Sequence, residues 1–262
     1  MPGSPPRLRL FPAAVRYWTG IASSAGPLSA SRALVAALWD FARESTPSRL
    51  RQRYGDADYD WDHRVNTTSA AVGWRDRLLG AFHSPYQPTE PALFHAMLHD
   101  FEQQAGVDFG DYTFLDLGSG KGRTLLMASD YPFRRIIGVE LLAALDQIAQ
   151  DNLRHYQSES QRCFRLESIC ADATRFSLPD GPLLIYLFNP FNESDLRRFL
   201  NNLDECSRGP ARPLFLVYHN PLLEHVLGER GFVRKVGGTH QYSMIRVLPR
   251  GTMAQEGRGL RA

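Results

Sequence analysis

The sequence is short of long apolar runs, of lysine and of cysteine. No stretch of its 262 residues approaches the roughly 18 consecutive apolar residues of a transmembrane helix, so we expect no membrane association. Only Lys121 and Lys235 are lysines among 30 basic residues, and a net charge of +2 is too balanced to indicate a nucleic-acid partner by electrostatics alone. The three cysteines lack C-x-x-C spacing, which indicates thiols in a reducing compartment and neither disulfides nor a zinc site.

Acidic residues are absent before Asp40, and arginine, serine, alanine and proline are frequent there. This composition resembles an organelle transit peptide. However, Pro12 and three earlier prolines oppose the amphipathic helix that such a peptide forms, and arginine is enriched throughout the chain. We therefore predict a disordered segment over residues 1–27 and a cytoplasmic protein, with organelle targeting as the alternative.

Residues 28–111 are predicted to form a helical and irregular N-terminal extension. Apolar residues recur at spacings of four and three from Leu34 to Phe41, which indicates an amphipathic helix. Further along, Thr89 is a good N-cap, and Pro91 suits the first turn of a helix that continues to about Gln104. We expect this extension to act as a lid and as a possible substrate-binding region.

Aspartates alternate with other residues, several of them aromatic, between Asp56 and Asp62. A calcium loop of the EF-hand type needs glycine at its sixth position and glutamate at its twelfth. Counted from Asp56, this chain has Trp61 and Thr67 at those positions. The segment is therefore predicted to be a solvated acidic turn, and we predict no metal site.

From Tyr112 onward, short apolar runs alternate with helical stretches. This alternation predicts βαβ units and a mostly parallel sheet with helices on both faces. The last two runs, FVRKV and YSMIRVL, are separated by Gly237 and Gly238 and predict an antiparallel hairpin. We predict an α/β fold over residues 112–248, a Rossmann-like, doubly wound, mostly parallel seven-stranded sheet with an antiparallel C-terminal hairpin, followed by a disordered tail over 249–262.

A glycine-rich turn follows the first predicted strand, in the segment FLDLGSGKGR. A phosphate-binding Walker loop is excluded, because Leu115 occupies the position of its first glycine and Gly122 follows the lysine. A dinucleotide-binding turn is weakened, because Arg123 stands where its third glycine belongs. Glu140, twenty positions after Gly120, could hold ribose hydroxyls in that scheme too, so an NAD(P)-dependent oxidoreductase stays open.

Four loop motifs in order, DLGSGKG, IIGVE, CADAT and LFNPF, resemble those of the class I S-adenosylmethionine-dependent methyltransferases. Within that class, the GSGKGR and LFNPF segments resemble a bacterial group of largely uncharacterised enzymes. The resemblance implies S-adenosylmethionine as the cofactor. The residues that it implies for cofactor binding are Tyr86, Thr89, Asp116, Gly118, Ser119, Gly120, Glu140, Asp172, Ala173 and Asn189.

Each of these residues has an implied role in the resemblance. Asp116 and the glycine turn receive the methionine moiety, and Glu140 accepts from both ribose hydroxyls. Asp172 with the backbone of Ala173 recognises adenine. Tyr86 and Thr89 resemble a segment that covers the cofactor carboxylate, for which an ordinary capped helix start is the alternative.

The loop after the fourth predicted strand is expected to position the methyl acceptor. Asn189 could accept a hydrogen bond from an acceptor nitrogen, and Phe191 would supply an apolar wall; a helix cap is the alternative role for Asn189. The loop has a single proline and so departs from the D/N-P-P-Y/F tetrapeptide of the adenine-N6 and glutamine methyltransferases. We therefore expect a nitrogen or oxygen acceptor in a protein or small molecule and disfavour nucleic acid. A non-catalytic module that retains the cofactor is a further alternative.

Two more residues near these motifs are chemically informative. Lys121 lies within the glycine turn, and we expect its ammonium group to point to solvent rather than to touch the cofactor. His219 ends the next parallel strand, where it is a possible base for an oxygen acceptor. A hydrogen-bonded structural role is the more common one for such a histidine.

Overall fold

The computed structural model describes residues 10–44, 57–68 and 88–249. The predicted site residue Tyr86 and the predicted tail beyond residue 249 lie outside this part of the chain. The helices of the described part are α1 (Leu10–Ala25), α2 (Pro27–Glu44), α3 (Ala57–His63), α4 (Pro91–Ala105), α5 (Arg123–Ala128), α6 (Ala143–His155), α7 (Glu193–Cys206) and α8 (Glu224–Gly228). The strands are β1 (Thr113–Leu117), β2 (Arg135–Glu140), β3 (Leu166–Cys170), β4 (Leu183–Phe188), β5 (Leu214–His219), β6 (Val233–Gly238) and β7 (Tyr242–Val247).

The seven strands form one sheet in the order β3-β2-β1-β4-β5-β7-β6. Every neighbouring pair is parallel except those that involve β7, which runs antiparallel to β5 and β6. This arrangement confirms the predicted fold class, including the C-terminal hairpin. The chain moves outward from β1 in one direction to β3, and in the other from β4 to β5. In open α/β sheets, ligands bind at the carboxyl edge beside such a reversal.

Two apolar layers cover the sheet. On one face, Phe94 and Phe101 of α4 pack with Phe114 of β1 and Tyr186 of β4. On the other face, the core is built from α7 and the opposite sides of the same strands. The α7 residues in this core are Leu196, Phe199, Leu200 and Leu203, and α8 adds Val226 and Leu227. The central strands are buried on both faces, which explains their nearly continuous apolar sequences.

The prediction of disorder over residues 1–27 is not met over Leu10–Ala25, which form α1, and residues 1–9 lie outside the described part of the chain. Pro12 falls in the first turn of α1, where backbone N–H groups have no intrahelical partner, and it therefore does not break the helix. Trp18 Nε1 donates to Ser31 Oγ at 3.1 Å, which joins α1 to α2. Among the described residues, no helix has both the length and the apolar character of a membrane span.

The start of α4 also differs in detail from the prediction. Pro91 is its first residue, as expected, but the N-cap is Glu90 and not Thr89. The Glu90 carboxylate accepts from the backbone N–H groups of Ala92 and Leu93, at 3.1 and 2.9 Å. Thr89 is instead buried, and its hydroxyl group bonds to the hydroxyl group of Tyr186 in β4.

Candidate functional site

Asp116 lies near the carboxyl end of β1 and is only 2% exposed. Its carboxylate accepts a hydrogen bond from the Thr124 hydroxyl group at the start of α5. Burial raises the pKa of Asp116 to about 7; the hydrogen bond from Thr124 lowers it, and the nearby charge of Glu140 raises it. A cation bound beside this carboxyl group would stabilise its charged form.

The glycine turn has the left-handed backbone that its sequence requires. Gly118, Gly120 and Gly122 have φ angles of 87°, 56° and 82°. A Cβ atom on Gly118 would lie 2.6 Å from Pro190 Cβ. The predicted cofactor turn and the predicted acceptor loop are therefore in direct contact.

Ser119 contributes to this turn mainly through its backbone. Its hydroxyl group is buried and has no hydrogen-bond partner among the described residues. That hydroxyl lies against β2, since a Cβ on Gly138 would approach Ser119 Oγ to 2.6 Å. The side chain thus faces the sheet, where glycine at position 138 leaves room for it.

Glu140 ends β2 beside the glycine turn and is 6% exposed. Its Oε2 accepts from the Gly120 N–H group and its Oε1 from the Leu142 N–H group, both at 2.8 Å. Burial raises its pKa, and these backbone hydrogen bonds oppose the shift. Each carboxylate oxygen can accept a second hydrogen bond, so the group retains the capacity for the predicted ribose contacts.

Asp172 and Ala173 follow β3 at the same edge of the sheet. The Ala171 N–H group donates to the Glu140 carbonyl oxygen at 2.9 Å, which holds this loop next to the end of β2. Asp172 Oδ1 accepts from the Thr174 N–H and hydroxyl groups, at 2.9 and 2.7 Å. These bonds fix the carboxyl group near Glu140, where the resemblance implies adenine recognition.

Asn189 follows β4 and has a left-handed backbone, with φ of 46°. Its Oδ1 accepts from the Tyr218 hydroxyl group at 2.8 Å, and its Nδ2 donates to the Asn220 carbonyl oxygen at 2.5 Å. The alternative role as a helix cap is not realised, because Asn192 caps α7. Tyr218 was missed as a partner, although its position at the end of the adjacent strand β5 was visible in the sequence.

Phe191 lies two residues beyond Asn189 and is partly buried. Its ring stacks on that of Phe199 in α7, with 5.5 Å between ring centroids. The packing anchors the loop between β4 and α7 to the core of that face. The predicted apolar wall for an acceptor remains a prediction for this residue.

A buried series of hydrogen bonds, which was not predicted, lies on the face of the sheet that α4 covers. The Tyr186 hydroxyl group contacts Thr89 Oγ1 at 3.0 Å and His219 Nδ1 at 2.8 Å. The His219 ring stacks on Phe188, with centroids 3.9 Å apart. Burial lowers the pKa of His219 to about 4, so its imidazole is neutral at pH 7.

Lys121 is fully buried, which corrects the expectation that it points to solvent. Its Nζ donates to Asn66 Oδ1 at 3.0 Å and to the Thr68 carbonyl oxygen at 2.7 Å. The acidic segment is likewise more than a solvated turn, because Asp60 lies in α3 and pairs with Arg123 at 3.3 Å. Both basic side chains of the GSGKGR segment therefore contact the N-terminal extension.

Comparison with known proteins gives structural similarity only. No protein-family model and no curated protein matches this sequence. An RNA methyltransferase from Salinibacter ruber, in complex with S-adenosyl-L-homocysteine, is 22% identical; the match covers 63% of this chain and 95% of that one, with a TM-score of 0.41. A putative RNA methyltransferase from Pyrococcus horikoshii is 16% identical over 63% and 88% of the two chains, with a TM-score of 0.43.

A dimethyladenosine transferase from Plasmodium falciparum is 12% identical, over 65% of this chain and 66% of that one, with a TM-score of 0.43. The prediction that disfavoured a nucleic-acid acceptor is wrong as an exclusion: two of these similar structures are named RNA methyltransferases, a name that is theirs and gives no acceptor for this chain. Its premise was too narrow. The departure of Asn189-Pro190-Phe191 from the D/N-P-P-Y/F tetrapeptide excludes no class of acceptor.

Proposed function

We propose that this protein is an S-adenosylmethionine-dependent methyltransferase that acts on a nitrogen or oxygen acceptor. The observation that carries the proposal is the contact between Gly118 and Pro190 at the carboxyl edge of the sheet. The glycine turn, which we propose binds the cofactor, lies directly against the loop that we propose positions the methyl acceptor. Methyl transfer requires this proximity, because the acceptor attacks in line with the bond that breaks.

The residues at this edge fit the cofactor chemically. When bound, S-adenosylmethionine supplies an electrophilic methyl group on a sulfonium cation. The Asp116 carboxyl group would complement the positive charges of the methionine moiety, and the Glu140 carboxylate would accept from the ribose hydroxyls. The carboxyl group of Asp172, fixed by Thr174, would accept from the adenine amine. Charged acceptors make these hydrogen bonds stronger than neutral ones.

The side chain of Asn189 is suited to orient the acceptor. Tyr218 and Asn220 hold its amide at both ends, and one lone pair of Oδ1 is left to accept from an acceptor N–H or O–H group. The rate gain from Asn189 then comes from orientation, since it fixes the angle at which the acceptor lone pair meets the methyl group.

Binding measurements separate this proposal from its alternatives. Titration calorimetry with S-adenosylmethionine, S-adenosylhomocysteine and NADH should show micromolar binding of the first two, lost in Glu140→Ala. Glu159→Ala is the matched control, because Glu159 is exposed and lies in the loop before β3, which meets the amino edge of the sheet. Binding of NADH alone would favour the oxidoreductase and refute the proposal.

Turnover separates an enzyme from a non-catalytic binding module. Labelled S-adenosylmethionine is incubated with pools of RNA, protein and small molecules, and labelled products are counted. We expect transfer to one pool, strongly reduced in Asn189→Ala and unchanged in Asn201→Ala, whose side chain is exposed on α7. Cofactor binding without transfer to any pool would favour the module.

A further inference from the structure

Ten residues of the N-terminal extension, Tyr59–Thr68, form a docked segment against the glycine turn. Lys121, at the centre of that turn, donates from Nζ to Asn66 Oδ1 and to the Thr68 carbonyl oxygen. Its side chain is 0% exposed, and burial lowers its pKa to about 8. A lysine in a loop normally keeps its ammonium group in water, so this burial needs the partners that the docked segment provides.

Arg123 makes a second connection from the same turn. Its Nε donates to Thr67 Oγ1 at 2.6 Å, its Nη2 lies 3.3 Å from Asp60 Oδ1, and its guanidinium group lies 4.9 Å from the centroid of the Tyr59 ring. The Asp60 carboxylate also accepts from the N–H groups of Thr67 and Thr68, at 2.7 and 2.8 Å. One carboxylate thus shapes the docked segment and pairs it with Arg123.

Asn152 of α6 makes the third connection. Its Oδ1 accepts from the Asn66 N–H group at 2.8 Å, while its Nδ2 donates to the carbonyl oxygens of Asn66 and Lys121, at 3.0 and 2.9 Å. The same amide therefore holds the backbone of the docked segment and the backbone of the glycine turn. A displacement of one strains the hydrogen bonds of the other.

The backbone links these contacts to the predicted ribose site. Lys121 directly follows Gly120, whose N–H group donates to Glu140. A shift of Lys121 would therefore move the donor that orients the Glu140 carboxylate. The docked segment therefore contacts the residue next to Gly120, whose N–H group orients Glu140, the residue that we propose binds the ribose.

We propose that Lys121 and Arg123 are positioning residues, through which the docked segment Tyr59–Thr68 holds the glycine turn in its cofactor-binding conformation. This inference rests on the proposed function. It makes part of the N-terminal extension a component of the cofactor site. Because such coupling is reciprocal, a ligand that binds the turn must also stabilise the docked segment.

The test uses S-adenosylhomocysteine as the probe and the full chain throughout. Asp60→Asn keeps the shape of the side chain but removes the charge that faces Arg123, and we expect an affinity lower by about tenfold, a typical size for coupling between sites. Thr67→Val removes the hydroxyl that accepts from Arg123 and provides a second variant if the first does not fold. Asp180→Asn, in the exposed loop before β4, is the control and should bind as the wild type does.

Hydrogen exchange gives an independent readout, which a merely structural role would not move. In the wild type, S-adenosylhomocysteine should slow the exchange of the Asn66, Thr67 and Thr68 amides. If the wild type binds the probe but these amides exchange at an unchanged rate and both variants bind normally, the inference fails and the proposed function stands. If the wild type does not bind the probe, both fail together.

Discussion

The hydroxyl group of Tyr218 donates to Asn189 Oδ1 at 2.8 Å and so connects the carboxyl ends of β5 and β4. The two residues come from neighbouring parallel strands, whose pairing places Tyr218 opposite Leu187, two residues before Asn189. Asn189 departs from the strand with φ of 46°, a backbone that asparagine tolerates better than most residues. The hydrogen bond therefore fixes a side chain whose backbone has already turned away from the sheet.

Tyr218→Phe should lower methyl transfer without lowering cofactor affinity. The substitution keeps the ring but removes the donor that orients Asn189, so we expect kcat to fall by about tenfold, which corresponds to about 1.4 kcal/mol. Turnover of labelled S-adenosylmethionine and calorimetry with S-adenosylhomocysteine measure the two quantities separately. Tyr112→Phe is the control, since Tyr112 lies just before β1 at the opposite edge of the sheet. An unchanged kcat would show that Asn189 needs no orientation by Tyr218.

The fold could be predicted from the sequence because its signals are local. Strands such as Leu183–Phe188 are short apolar runs bounded by turn residues, and parallel pairing brings their carboxyl ends to one edge. The sequence pattern therefore places Glu140 and Asp116 beside the glycine turn, as the structure does. Because the apolar pattern locates the ends of the strands, it also locates the residues that we propose bind the cofactor.

The environment of Lys121 could not be predicted in this way. Its partners Asn66 and Thr68 precede it by 55 and 53 residues, in a segment without an apolar pattern. The hydrogen-bonded chain from Thr89 through Tyr186 to His219 is equally non-local. Polar contacts between distant segments leave no periodic signal. The sequence alone therefore suggested that Lys121 points to solvent and that Thr89 caps a helix.

Gly118→Ala should destabilise the protein more than its backbone angle alone requires. A left-handed backbone costs a residue with a Cβ about 1–2 kcal/mol, and here the Cβ would also lie 2.6 Å from Pro190 Cβ. Gly26→Ala is a matched control, because Gly26 has φ of 83° with nothing within 4 Å of the added atom. Chemical denaturation should give the larger loss of unfolding free energy for Gly118→Ala. Equal losses would contradict the close contact between the turn and the acceptor loop.

Asp116 should make both stability and cofactor affinity depend on pH. Its pKa of about 7 lies above the ordinary value near 4, so between these values the folded protein binds more protons than the unfolded chain. The contribution of Asp116 to the unfolding free energy therefore falls as pH rises from 4 to 7. Asp116→Asn keeps an acceptor for Thr124 and should be more stable than the wild type at pH 8.

Cofactor affinity should change in the opposite direction. S-adenosylmethionine carries positive charge, so its binding favours the ionised form of Asp116 and should strengthen from pH 6 to pH 8. Calorimetry at several pH values measures the slope, and the same series on Asp116→Asn should be flatter. A wild-type affinity independent of pH over this range would contradict a titrating carboxyl group at the cofactor site.

His219 should remain neutral well below the pH at which histidine ordinarily titrates. Burial lowers its pKa to about 4, and its Nδ1 contacts the hydroxyl group of Tyr186, whose own pKa burial raises. Between pH 6.5 and 4 the unfolded chain therefore binds a proton that the folded protein does not, and the contribution of His219 to stability is lost as pH falls through this window. In an NMR titration, the imidazole resonances of His219 should stay constant from pH 8 to about pH 5. A midpoint near 6.5 would mean that the ring is hydrated, whereas constant resonances mean that its imidazole is a neutral group throughout the range in which methyl transfer is measured.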